Sequence, residues 1–255
     1  MYWDELTSPQ IAALDKSIPV ILPVSATEQH GYHLPLATDR MIGEHICKHI
    51  NDEIEDEILI LPIISIGCSE HHKDFAGSLS IRHTTMLSQI TDIADCVVGY
   101  GFKNFFISNS HGGNQAIAQT FVETFGYRNP DVNVAFTSWW RLANQEIKDI
   151  QESGPGGVGH AGEFETSLMM VIAPHLVHND QIQDRANIPT FSWAEADLIS
   201  GSKASYYRRM NEVTSNGVQG EPKLASVEKG NLLTERIVAV FVKVLREFKT
   251  GYSKS

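Results

Sequence analysis

Four side chains able to bind a metal ion or move a proton fall close together in PVSATEQHGYHLPLATDR, residues 23–40: Glu28, His30, His33 and Asp39. If the chain stays extended beyond the apolar run that precedes them, Glu28 and His30 share a face, because strand side chains alternate with period two. Asp39 returns at the start of a helical pattern, where exposed backbone N–H groups favour a carboxylate. A Glu, a His and an Asp that converge form a donor set suited to zinc, manganese or iron(II). A plainer reading also fits this stretch, in which Asp39 only caps a helix and its neighbours are solvated. Residues 23–40 alone leave both open.

Three further clusters bear on the choice. In SNSHGGN (108–114), His111 sits where a strand gives way to a helix, and Gly112-Gly113 allows close backbone approach to an ion or substrate. Asn109 and Asn114 are placed to fix that turn through side-chain hydrogen bonds. In HAGEFETS (160–167), His160 and Glu163 share a face if the helix starts this early. Glu165 then points to the opposite side as a structural partner, while Thr166 and Ser167 satisfy backbone groups. GCSEHHKDFAGSLSIR (67–82) offers Glu70, His71, His72 and Asp74. Adjacent histidines of an extended segment diverge, so at most one faces a site, and substrate contact or a bond to a neighbouring subunit suits them better than primary ligation. The GPGGVG stretch fits G-x-G-x-x-G only formally: the residues before it look helical, so it reads as a mobile loop beside the site.

The elements that must position these groups are legible as short apolar runs at 18–26, 57–67, 103–110 and 133–140, each followed by polar or turn-forming residues. Helical patterns separate them, beginning near residues 39, 84 and 114. Later come a helix at 163–173, a loop-rich region and a closing helix over 226–248. Alternating strands and helices with continuously apolar strands predict an α/β fold with a mainly parallel central sheet covered on both faces. The polar clusters fall at the carboxyl ends of the four strands, where such sheets bind ligands. No repeat or linker divides the chain, so one domain over 1–255 is expected.

Composition narrows the partners. Acidic residues outnumber Lys and Arg by 31 to 20, and the formal net charge is -11. With no basic patch to offset it, general affinity for nucleic acid or anionic membranes is not expected. Three cysteines without paired spacing fit buried thiols in a reducing compartment. The polar, acidic N-terminal stretch is unlike a signal peptide and no run is long enough to span a bilayer, so a cytoplasmic protein is expected.

Taken in order, EQHGYHLPLATD (28–39), GCSEHHKDFAGSLSIR (67–82), SNSHGGN (108–114), HAGEFETS (160–167) and GVQGEPKLASVEKG (217–230) resemble the creatininase (creatinine amidohydrolase) family over most of the chain. The resemblance implies a three-layer α/β/α sandwich, two divalent metal ions per chain (zinc first, manganese or iron(II) as alternatives) and a homo-oligomer, commonly a hexamer. It implies Glu28, Asp39 and His111 as ligands of one ion, and His30 and Asp39 as ligands of the other, with Asp39 bridging. The creatininase glutamate two residues after the ligand histidine is replaced here by Gly113, and Glu163 is the expected substitute ligand. His160, with Glu163, would carry the catalytic proton transfer. Trp140, His71, His72, Gly112 and Gly113 would contact a small-molecule substrate. A second creatininase tryptophan is replaced by Gly156, which weakens the case for creatinine itself. The expected activity is hydrolysis of a non-peptide C–N bond in a small cyclic amide by a metal-activated water. The alternatives are deformylation of a formylamino-pyrimidine nucleotide, trimming of a modified precursor peptide, and a non-enzymatic, metal-stabilised oligomeric binding protein.

Overall fold

The computed structural model describes residues 1–250. Its centre is a sheet of four parallel strands in the order β2-β1-β3-β4: β1 (Pro19–Val24), β2 (Leu59–Ile60), β3 (Asn104–Asn109) and β4 (Asn133–Ser138). Strands β1 and β3 pair along their full length, from Pro19 opposite Asn104 to Val24 opposite Asn109, and every residue of both is buried. Burial on both faces explains their continuous hydrophobicity.

Side-chain alternation then sorts the core into two halves. Ile21 and Phe106 point into one half, with α2 (Thr38–Ile54), α7 (Glu163–Ile172) and α9 (Val227–Thr250). Val20, Leu22, Phe105 and Ile107 point into the other, with α3 (His83–Gly99) and α4 (Gln115–Arg128). A sheet with helices on both faces is the three-layer α/β/α sandwich. Short helices α1 (Ser8–Ala13), α5 (Trp139–Leu142), α6 (Asn144–Ile147) and α8 (Met210–Val213) complete the element order. Among the described residues, no helix is long and apolar enough to cross a membrane.

Two of the apolar runs depart from expectation. Only Leu59–Ile60 of 57–67 forms a ladder. Beyond it the segment follows β1 loosely, its Leu61 and Ile64 amides reaching the carbonyls of Ile21 (2.9 Å) and Pro23 (3.0 Å). Pro23, on that edge of β1, and Pro62 supply no N–H, so a regular ladder cannot continue. The fourth strand stops at Ser138, and Trp139-Trp140 open α5 instead.

The strand order also fixes where a ligand belongs. β1 is followed in sequence by its neighbour on one side, β2, and only later by its neighbour on the other, β3. The crevice at the carboxyl ends of β1 and β3 is therefore a topological switch point.

Candidate metal centre and active site

Glu28 and His30 leave the end of β1, His111 leaves the end of β3, and Asp39 stands in the first turn of α2. Thr38 spends its hydroxyl on the Pro35 carbonyl (2.7 Å), and Asp39 caps nothing, so its carboxylate is free for the site. Asp39 Oδ1 lies 3.1 Å from His30 Nε2, and Asp39 Oδ2 lies 3.0 Å from His111 Nδ1. One carboxylate thus turns a different oxygen to each of two imidazoles. Glu28 Oε1 sits 3.2 Å from the same His111 Nδ1, 3.3 Å from His72 Nε2 and 3.5 Å from His160 Nδ1.

The far sides of the rings fix which nitrogen faces inward. His30 Nδ1 is 3.1 Å from the Glu28 carbonyl, and His111 Nε2 is 3.2 Å from the Cys68 carbonyl. Each outer N–H donates to a carbonyl, which turns the inner nitrogen to the carboxylates: it is protonated while no cation is bound and becomes a lone pair when a metal displaces that proton. The His111 turn is locked by Asn109, which donates to the His111 carbonyl (2.7 Å) and accepts its amide (3.2 Å). Asn114 accepts the Cys68 amide (3.0 Å) and donates to the Ser25 carbonyl (3.1 Å).

HAGEFETS folds differently from the expectation. Its helix begins at Glu163, not His160, and Ala161 between them adopts a left-handed φ of 53°. That costs a non-glycine residue on the order of 1–3 kcal/mol, and such strain collects at functional sites. Here the reversal brings His160 and Glu165 to one cavity: Glu165 Oε2 accepts the Ala161 amide (2.6 Å) and lies 3.8 Å from His30 Nε2. Glu163 points away. Its carboxylate accepts Lys229 Nζ (2.5 Å) and the amides of Glu152 and Ser153 (both 3.0 Å), so it is a structural anchor outside the cluster. The acid of this motif that reaches the site is Glu165, which sequence reasoning had assigned to the opposite side.

The cavity enclosed here measures about 230 Å³ and is lined by Glu28, Asp39, His111, His160, Glu165 and Trp140, with His71, His72 and Gly112 at its wall. Both His71 and His72 border it, because Glu70–His72 forms a tight 3₁₀ turn and not an extended segment. Gly113 does not border it. A side chain there would collide with the Cys68 carbonyl and the His111 ring, which explains why a glutamate at this position is excluded. His33 also stays out, its Nε2 bonded to the Thr166 hydroxyl (2.9 Å). Glu70 and Asp74 pair with Lys73 and Arg209 outside the cluster. A larger cavity of about 590 Å³ beside Met41 and Cys47 is bordered by none of the four metal-ligating groups found among the described residues, so size does not mark the site.

Electrostatics separate the groups by role. Burial opposes ionisation of Glu28, but His111 and His72 outweigh it and hold its carboxyl well below the usual range. Burial likewise disfavours the charged His30, yet Asp39 and then Glu165 carry it up to about 9. Burial raises Glu165 to about 7. Burial, then His30 and His72, lowers His160 well below the histidine range, and burial takes His72 down to about 3. The His72–Glu28 contact is therefore a hydrogen bond from a neutral ring.

Glu28 Oε2 is buried without a hydrogen-bond partner among the described residues, and Asp39 Oδ2 faces the His111 ring nitrogen at 3.0 Å. Two buried carboxylates converging on imidazole nitrogens form a donor set that suits a cation, which would displace the ring protons that now face them. Glu28–His30–Asp39, Glu28–His71–His111 and His30–His160–Glu165 each bring three donor atoms within 4.8 Å of one another. The residues present fit bound divalent metal.

A carboxylate–imidazole cluster at the switch point of a parallel sheet in an α/β/α sandwich marks the class of α/β/α proteins with a metal-binding site. The sequence model of the Creatininase family, described as creatinine amidohydrolase, matches residues 4–245, and the chain belongs to this family. It is 27% identical to the creatinine amidohydrolase of Pseudomonas putida, covering 89% of this chain and 88% of that one. It is equally 27% identical to the mycofactocin precursor peptide peptidase of Mycobacterium tuberculosis, covering 92% and 85%. A solved structure described as creatininase Mn superposes with a TM-score of 0.79 at 25% identity, over 96% of this chain and 97% of that one. A mutant creatininase of Zn-Zn type gives 0.78 at 26% identity, over 96% and 97%.

Proposed function

We propose that this creatininase-family chain hydrolyses a C–N bond of a small cyclic amide at a binuclear metal centre. The observation that carries the reading is Asp39, whose two oxygens face His30 and His111 at 3.1 and 3.0 Å. In this reading Glu28, Asp39 and His111 would hold one ion, and His30, Asp39 and Glu165 the other. A divalent metal pair in such a cradle supplies a water of lowered pKa and polarises the scissile carbonyl.

The remaining residues supply position and proton handling. His160 Nε2–H donates to the Gln29 carbonyl (2.6 Å), which leaves Nδ1 as a lone pair directed at the Glu28 edge of the cavity. Its lowered pKa keeps the ring in the base form, ready to take the water's proton and return it to the leaving nitrogen. Trp140, 3% exposed, closes one wall against solvent.

The test is metal stoichiometry by elemental mass spectrometry on protein purified without a metal-affinity column. Close to two transition-metal ions per chain supports the reading. Close to zero, with no uptake of zinc, manganese or iron(II), refutes it. Creatinine, a formamide and a short peptide assayed in parallel on the loaded chain then separate the cyclic-amide reading from the activities its relatives' names describe.

A further inference from the structure

A second cavity of about 280 Å³ adjoins the cluster and shares Ala196, Asp197 and Gln219 with its lining. Unlike the cluster, it offers guanidinium donors: Arg185 and Arg208 both line it, along with the acids Glu195 and Asp197. Asp197 is ion-paired to neither of the two arginines: its carboxylate oxygens accept the amides of Gly156 (2.7 Å), Ile199 (3.0 Å) and Ser200 (2.6 Å). Glu195, the other acid of the lining, is exposed and ion-paired to neither arginine.

Acids exceed Lys and Arg by 31 to 20 in this chain, so an arginine without an acidic partner calls for a reason. Of nine arginines, five (Arg40, Arg128, Arg209, Arg236 and Arg246) are ion-paired among the described residues, which leaves four without an acidic partner there. Arg185 and Arg208 line this cavity, and Arg141 lines a further one that shares Trp140, Ala196 and Asp197 with the site. Only Arg82 stands apart from all three. Arg185 and Arg208 are aimed by backbone carbonyls: Arg185 donates to Pro155 (3.1 Å), and Arg208 to Ile188 (3.1 Å) and Glu212 (3.0 Å). Gly156 makes room for the first, since its φ is +76° and a side chain there would overlap the Arg185 guanidinium.

We propose that this cavity binds an anionic group, carboxylate or phosphate, on the substrate whose C–N bond is held at the adjoining cluster. The proposal rests on the hydrolytic reading of that cluster. Both anions match the planar fork of a guanidinium, and each arginine retains donors for one. The site cavity is smaller than the roughly 300–1,000 Å³ usual for a drug-sized ligand, so an amide that carries a further anionic substituent would extend into a neighbour.

The test is calorimetric titration of the full, metal-loaded chain with inorganic phosphate and, separately, acetate at low ionic strength. Arg185→Ala removes an exposed side chain, and Arg208→Gln keeps a donor for the carbonyls that Arg208 serves. The parent should bind at least one probe with Kd on the order of 1 mM, and each variant should weaken that binding about tenfold, or about 1.4 kcal/mol. Arg82→Ala should bind like the parent. Phosphate bound with acetate silent assigns a phosphate-bearing substrate, and the reverse a carboxylate. Equal binding by the parent and the doubly substituted chain, or no binding of either probe by the parent, overturns the subsite. Metal analysis of the same samples separates the two readings. Arginine-dependent anion binding by a chain that takes up no metal keeps the subsite and refutes the hydrolytic centre; two ions with arginine-independent binding does the opposite.

Discussion

Replacing Glu163 and Glu165 one at a time by glutamine tests the assignment of the two acids in HAGEFETS. Glu163 is fully buried and pairs with Lys229, itself 12% exposed. Breaking a buried pair from one side costs about 3–5 kcal/mol. Lys229 keeps Glu152 (3.2 Å) and the Leu224 carbonyl (2.7 Å), which places Glu163→Gln at the low end, about 3 kcal/mol. For a chain of this size each kcal/mol moves Tm by about 2–4 °C, so a fall of about 6–12 °C is expected. Glu165 behaves otherwise. Burial raises its carboxyl to about 7, so near neutral pH much of the metal-free population is already uncharged, and the glutamine carbonyl still accepts the Ala161 amide. Glu165→Gln should shift the Tm of the chelator-treated chain by less than about 4 °C, yet lose at least one ion per chain. Differential scanning calorimetry in chelator, paired with elemental analysis of reconstituted samples, reads both quantities. A Glu163→Gln chain that melts like the parent but takes up less metal would refute the assignment.

Three other perturbations address separate links. Asp39→Asn should deplete both ion positions together, and a normal metal content would dismiss the bridge. His160→Ala should retain metal while losing about 10²–10⁴-fold in turnover of whichever amide the parent cleaves; an emptied ion position would make His160 a ligand instead. Burial, then His49 and Lys48, lowers His45 to about 4 against about 6.5 in the unfolded chain. The folded ring is neutral where the unfolded one takes up a proton, so its contribution is intact above about pH 6.5 and is lost as pH falls towards 4. His45→Gln should flatten this acid limb by about 1–2 kcal/mol after solvent screening, read as Tm between pH 7 and 4.5. An unchanged slope counts against it.

What the sequence reveals and hides here follows from the range of the interactions involved. β1 and β3 are legible because burial on both faces leaves an unbroken apolar run, and Glu28, His30, Asp39 and His111 because each sits within a few residues of a strand end or helix start. The second run misleads because Pro23 and Pro62 matter through the ladder they interrupt, not through their apolarity. The Glu163–Glu165 choice depends on two facts that spacing does not carry. One is the left-handed turn at Ala161, which moves the helix start past His160. The other is the pairing of Glu163 with Lys229, 66 residues away. The His71–His72 pair was misjudged for a related reason: the 3₁₀ turn that points both at the cavity has no periodicity to read.

Gln29 constrains which of the clustered histidines can offer a lone pair. Its side-chain oxygen accepts the Gly31 amide (2.9 Å) and its nitrogen donates to the Gly217 carbonyl (3.0 Å), which fixes the orientation of the amide. One amide hydrogen remains, and His72 Nδ1 lies 2.9 Å away. His72 Nδ1 therefore accepts, its proton resides on Nε2, and that proton points at Glu28 Oε1. A protonated nitrogen offers a metal no lone pair, so in this tautomer the fourth group of donors, Glu28–His72–His160, lacks the histidine lone pair a metal would need, although its atoms lie as close together as those of the other three. His72 supports Glu28 from behind, and Gln29, between two proposed ligands in sequence, sets which histidines around Glu28 remain free to bind.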